Sequence, residues 1–205
     1  MKTFLECIPC LLRQTLDAAR MATADTAVHE RIMRDVLAMV RHMDMQQSPP
    51  AMAQRIHRRI RELAEHADPY RTSKQQHNQL ALSCYDELAA EVSNAANPLE
   101  IAVRFAIAGN IIDLGVKGTL ASRDIHDTLR ACLSGSFDQA GVDELRQDAE
   151  KARRILYLAD NAGEIVFDRL LIEQLPTGRV TLAVRGGPIL NDATMEDALA
   201  AGLCE

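Results

Sequence analysis

Four stretches of this chain carry residue types and spacings that can do chemistry. The first is Asp160-Asn161-Ala162-Gly163-Glu164. A carboxylate and an amide oxygen side by side are hard donors suited to Mg²⁺ or Mn²⁺. A helix starting here also offers N–H groups and a positive dipole end to a phosphate. The same residues fit plain capping: Asn161 with Glu164 is a capping-box arrangement, and Asp-Asn is ordinary turn chemistry. The second stretch runs from Arg185-Gly186-Gly187 through Asn191-Asp192 to Thr194. Its glycines permit close backbone approach to a ligand and Asp192 adds a carboxylate, while Thr194 with Asp197 also reads as a capping box. The third, Gly109-Asn110-Ile111-Ile112-Asp113, puts an amide and a carboxylate on one helix face, where burial is costly unless they are paired. The fourth, Cys7-Ile8-Pro9-Cys10, has the spacing of redox or metal-binding pairs. There is no second CxxC, and the six histidines have no ligand-like spacing, so the pattern favours inert thiols.

These side chains need elements to hold them. Residues 1–152 read as successive helices: one from Pro9, then about 26–44, 51–66, 72–93, 98–115, 122–134 and 140–152, with Ser48-Pro49-Pro50 as a stop signal. The third helix carries Arg55, Arg58, Arg59 and Arg61, but Glu62, Glu65 and Asp68 nearby favour a solvated face. From residue 153 the pattern changes to strand 154–159, helix 164–175, strand 179–184 and helix 194–201. Strand, helix, strand implies a parallel pair with a crossover. Ligands in such sheets sit at the carboxyl ends of the strands, here Asp160-Asn161 and 185–192. The fold class expected is α + α/β: an all-helical domain over 1–152, then a partial Rossmann-like α/β domain over 153–205.

Acidic residues exceed basic ones, 29 against 23, which argues against a nucleic-acid surface. Absent tryptophan and few aromatics disfavour base-stacking platforms. No apolar run reaches the roughly 20 residues that span a bilayer. The charged first 20 residues do not read as a signal peptide, so a cytoplasmic, reduced protein is expected. Neither GxSxG, a P-loop nor GxGxxG occurs.

Taken in order, Glu6-Cys7-Ile8-Pro9-Cys10-Leu11-Leu12-Arg13-Gln14, Gly109-Asn110-Ile111-Ile112-Asp113, Asp160-Asn161-Ala162-Gly163-Glu164 and Arg185 to Asp192 resemble the damage-control phosphatase family, in its stand-alone microbial CxxC branch. The resemblance implies a metal-dependent phosphatase acting on phosphate monoesters of small, often damaged, metabolites. It implies Asp160, Asn161 and Asp192 as metal ligands and catalytic residues, with Mn²⁺ or Mg²⁺ first and Co²⁺ or Ni²⁺ as further candidates. Glu164, Asn110 and Asp113 would line the substrate site, and the Arg185-Gly186-Gly187 loop would hold the phosphate. Water or a carboxylate, Asp160 being the better placed, would attack. Two alternatives stand beside this reading: an S-adenosylmethionine-dependent carboxyl methyltransferase and a non-catalytic binding or remnant module. Family members run further and add strands and a lysine loop. The chain is therefore expected to be truncated, with 154–205 weakly held and its sheet edges prone to association.

Overall fold

The computed structural model describes residues 2–111 and 122–203. Their contacts define two compact units, Met1–Thr72 with Pro188–Leu190, and Ser73–Gly187 with Asn191–Glu205. In the first, α1 (Cys7–Ala22), α2 (Thr26–Arg41) and α3 (Pro49–Ala64) pack on one another. Leu11, Ile32, Val36, Ile56 and Ile60, recurring at helical spacing, form its core, each buried side chain contributing roughly 1.5–3 kcal/mol. Asp25 caps α2 by accepting the Ala27 N–H at 2.8 Å. The prolines expected to end a break instead open α3, because a first turn leaves its N–H groups unpaired anyway and proline has none to lose. Within the arginine cluster, Arg59 pairs with Asp35 at 2.7 Å and Glu62 at 3.0 Å, as a solvated face does.

The second unit holds α4 (Arg71–Asn94) from Ser73 onward, α5 (Pro98–Ile111), α6 (Ser122–Ser134), α7 (Gln139–Lys151), β1 (Ile155–Leu158), α8 (Glu164–Ile172), β2 (Val180–Ala183) and α9 (Met195–Ala200). The two strands are parallel, Ile155 opposite Val180 and Leu158 opposite Ala183. This is the α + α/β class that the pattern predicts. Ile155 and Tyr157 pack beneath the sheet against Leu171 and Leu175, while Leu156 and Leu158 on the other face are 65% and 70% exposed.

The change of element type at 152/153 and the division into compact units at 72/73 are different boundaries. Helix α5 is apolar almost all round, so it needs partners on several sides, and it packs on α6, α7 and α8. Its contact with α8 is close: a Cβ on Gly109 would lie 2.8 Å from Phe167 Cδ2. Phe105, Ala108, Ile165, Phe167 and Leu170 are buried together there. The segment after 153 is thus not weakly held. A two-stranded sheet alone would be poor support, but α8 is set into the helical core.

Candidate functional site

The site is built where β1 and β2 end. Beyond β1, Ala193 N–H donates to the Asp160 carbonyl at 2.7 Å and Ala162 N–H to the Asn191 carbonyl at 2.9 Å. This makes an antiparallel bridge between Asn161 and Asp192. Beyond β2, Arg185 N–H donates to the Ala193 carbonyl at 2.9 Å, giving a parallel bridge to Thr194. Residues 191–194 therefore lie alongside both strand extensions. Asp160 and Asn161 are separated from Asp192 in sequence by all of α8 and β2, and these bridges bring the three onto adjacent backbone.

Glu164 opens α8 and is buried. Its carboxylate accepts Asn110 Nδ2 at 3.0 Å and Asn161 Nδ2 at 2.9 Å. Asn110 comes from the last turn of α5, held against α8 by the close approach at Gly109. Plain capping does not explain Asn161. The residue at the cap position is Gly163, with φ 82° and no side chain to cap with. The first amides of α8 are also largely committed: Gly163 N–H donates to Asn78 Oδ1 at 2.7 Å, Ile165 N–H to the Asn161 carbonyl and Val166 N–H to the Gly163 carbonyl. A phosphate at this helix start would find few donors.

The local charge is negative. Asp168, one turn after Glu164, is buried, and its carboxyl is pushed up to about 7 by burial, with Glu164 and Asp160 adding to the rise. The Tyr157 hydroxyl donates to Asp168 Oδ1 at 2.6 Å and partly opposes this. Burial also raises Asp192, with Asp160 adding to it and Arg185 opposing it. Arg185 Nε donates to Asp192 Oδ2 at 2.6 Å. Asp160 itself is exposed. Gly186 and Gly187 are exposed, and a Cβ on either would meet nothing within 4 Å, so neither glycine is required sterically.

Among the described residues no group of three or more His, Cys, Asp or Glu is placed to hold a metal ion. The donors at the strand ends are instead two carboxylates and an amide. Asn161 has its Nδ2 committed to Glu164, which leaves Oδ1 as its donor oxygen. Carboxylate and amide oxygens among mutually repelling acids fit a hard divalent cation, and at Asp192 that cation would compete with Arg185. Asp113 lies outside the described residues. Cys7 and Cys10 sit in the first turn of α1, in the other compact unit, both as free thiols.

Four residues at the site escape a reading of the sequence: Lys74 and Asn78 on α4, Asp168 on α8 and Asp197 as more than a cap. Lys74 Nζ lies 3.3 Å from Asp197 Oδ2 with both side chains 4% exposed, and Asn78 Nδ2 donates to Asp197 Oδ1 at 2.9 Å. The available signal is the stripe on α4. Lys74 and Asn78 extend the buried series Ala81, Cys84, Leu88 and Val92 at helical spacing, so their polar ends face inward.

An α + α/β chain with an acid-and-amide cluster at parallel strand ends is the class that fold and geometry define. Residues 3–204 match the damage-control phosphatase ARMT1-like domain, and the chain belongs to that family. It is 35% identical to an uncharacterized protein of Methanocaldococcus jannaschii over 208 residues, 98% of this chain and 67% of that one. It is 30% identical to a damage-control phosphatase of Pyrococcus horikoshii, covering 99% of this chain and 70% of the relative. A damage-control phosphatase of Archaeoglobus fulgidus is also 30% identical, over 94% of this chain and 67% of its own length. The crystal structure of a DUF89 family protein from Pyrococcus horikoshii superposes with a TM-score of 0.86 at 30% identity, over 99% of this chain and 71% of that one. The methyltransferase alternative gains nothing from these relatives. Among the described residues no helix is long and apolar enough to cross a membrane.

Proposed function

We propose that this chain is a metal-dependent phosphatase that hydrolyses phosphate monoesters of small metabolites, with Asp160, Asn161 and Asp192 as its metal ligands. The observation that carries the reading is the backbone bridge that sets Asn161 beside Asp192, next in sequence to Asp160, whose charge reaches Asp192. A divalent cation bound there would offset the charge that develops on the phosphoryl oxygens. In this reading Asp160, exposed and next to that bridge, attacks or activates water. Arg185, already bound to Asp192, is the cation available to a phosphate oxygen, with the open Gly186-Gly187 backbone beside it. Glu164, fixed by Asn110 and Asn161, lines the substrate side, and Asp113 is assigned there with it. Names of two relatives as damage-control phosphatases support the reaction class.

Hydrolysis of p-nitrophenyl phosphate with Mn²⁺, Mg²⁺, Co²⁺ or Ni²⁺ tests this. Turnover that needs an added divalent cation and falls at least about 100-fold in Asp160→Ala, nearly 3 kcal/mol of barrier, is the expected result. Turnover equal in chelator, or unchanged in Asp160→Ala, would overturn the assignment.

A further inference from the structure

We infer that Asn78 on α4 is a positioning residue that holds the two strand-end loops in the register a cation at Asp160, Asn161 and Asp192 requires. This rests on the metal-site reading above and adds to it a residue outside the ligand set.

One side-chain amide joins both loops. Asn78 Oδ1 accepts the Gly163 N–H at 2.7 Å, two residues after Asn161. Asn78 Nδ2 donates at 2.9 Å to Asp197 Oδ1. The other oxygen of Asp197 accepts the Thr194 N–H at 2.8 Å and the Thr194 hydroxyl at 2.7 Å, and Thr194 is two residues after Asp192. The acceptor end of Asn78 thus fixes the Asp160-Asn161 loop, and its donor end fixes the Asp192 loop through Asp197. Asn78 is itself buried, so neither end can readily exchange its partner for water. Lys74, one turn earlier, holds Asp197 from the same helix face. The Asn161–Asp192 bridge spans the loops from the site side, and Asn78 ties them from α4. A neutral group with one donor and one acceptor is required. Asp would lose the donor and face Asp197 as a like charge, and Ser or Ala would be too short to reach both loops.

The geometry also supplies its own rescue. Exchanging the two groups, Asn78→Asp with Asp197→Asn, keeps the polarity of the Gly163, Asn78–Asp197 and Thr194 hydrogen bonds, while the carboxylate moves to one turn along α4 from Lys74, which then meets an amide oxygen on α9. The carboxylate then on α4 would accept from Gly163 N–H and from the amide then on α9, whose oxygen would accept from Thr194. The test is calorimetric titration of the full chain with Mn²⁺ alone, well below the melting temperature, alongside circular dichroism. N78D is expected to keep its helical signal while its Mn²⁺ affinity falls at least about tenfold. The N78D/D197N exchange is expected to return affinity to within about threefold of the parent, recovering at least about half of roughly 1.4 kcal/mol. Loss of affinity without rescue in a folded double variant, or folded N78D binding Mn²⁺ like the parent, would overturn the inference. Should N78D not fold, N78S takes its place as the single variant and the exchange decides in the same way. D160A separates the two claims. If D160A loses Mn²⁺ while N78D keeps it, only the role of Asn78 falls; if D160A or the parent shows that no Mn²⁺ depends on Asp160, the metal-site reading falls and this inference with it.

Discussion

Two groups of carboxylates lie a few residues apart in the second unit and are treated in opposite ways. Burial alone would raise Asp197, but hydrogen bonds from Thr194 and Asn78 and the Lys74 charge bring its carboxyl below the ordinary value. Every oxygen there has a donor. Around Glu164 the acids accumulate instead: Asp168 and Asp192 are both raised, each by burial first and each with Asp160 adding to it. A matched carboxylate of the first kind is structural, since its charge is already satisfied. An acid-rich cluster of the second kind, in which Arg185 offsets Asp192 only in part, costs stability in the protein as it stands, and a bound cation would lower that cost.

The contrast can be broken at its matched end first. Lys74→Met removes the cation and leaves the Asp197 charge buried. Breaking a buried pair in this way costs about 3–5 kcal/mol, and the three hydrogen bonds left on Asp197 put the expected loss near the lower figure. Denaturant melts at neutral pH measure it, and a loss under about 1 kcal/mol, the size of an ordinary point substitution, would mean that Asp197 is not held as described.

At the acid-rich end the sign reverses. The folded-state value of Asp168 lies above its unfolded value, so the native protein binds the extra proton. Stability from this group is present below about pH 4 and is lost as pH rises towards 7. Asp168→Asn keeps an acceptor for Tyr157 and removes the charge. It is expected to stabilise the metal-free protein at pH 8 by on the order of 2 kcal/mol and to flatten the melting temperature between pH 5 and 8. A destabilised variant with an unchanged pH profile would contradict the picture.

Asp160, Asn161 and Asp192 are legible in the sequence because strand-helix-strand order alone places them at strand ends, and the bridge between them needs only backbone. Gly109 is legible as part of a motif but not for its reason, which is the Phe167 ring on α8. Lys74 and Asn78 are not, because their partner Asp197 is more than a hundred residues away. On an isolated helix, Lys and Asn read as a solvated face. Only their continuity with the buried stripe betrays them. Asp168 is hidden likewise, one polar residue on a helix whose burial depends on α5.

The packing under the site gives a smaller effect. Gly109→Ala would force a methyl group to 2.8 Å from Phe167, and overpacking of this kind costs about 1–3 kcal/mol. Part of the strain should reach Asn110 and weaken its hold on Glu164. Thermal melts check the first effect, and the KM for p-nitrophenyl phosphate checks the second. The smallest effect is expected at Cys7 and Cys10, which lie in the other compact unit. Replacing both with Ser should change stability by less than about 0.5 kcal/mol and leave metal-dependent turnover within about twofold.

That Asp160, Asn161 and Asp192 together hold a cation can be checked by Mn²⁺ titration of the parent chain, Asp160→Ala and Lys74→Met in one calorimetric series. The expected result is one Mn²⁺ bound by the parent, none by Asp160→Ala, and retained binding by whatever fraction of Lys74→Met stays folded. Equal binding by the parent and Asp160→Ala would contradict it.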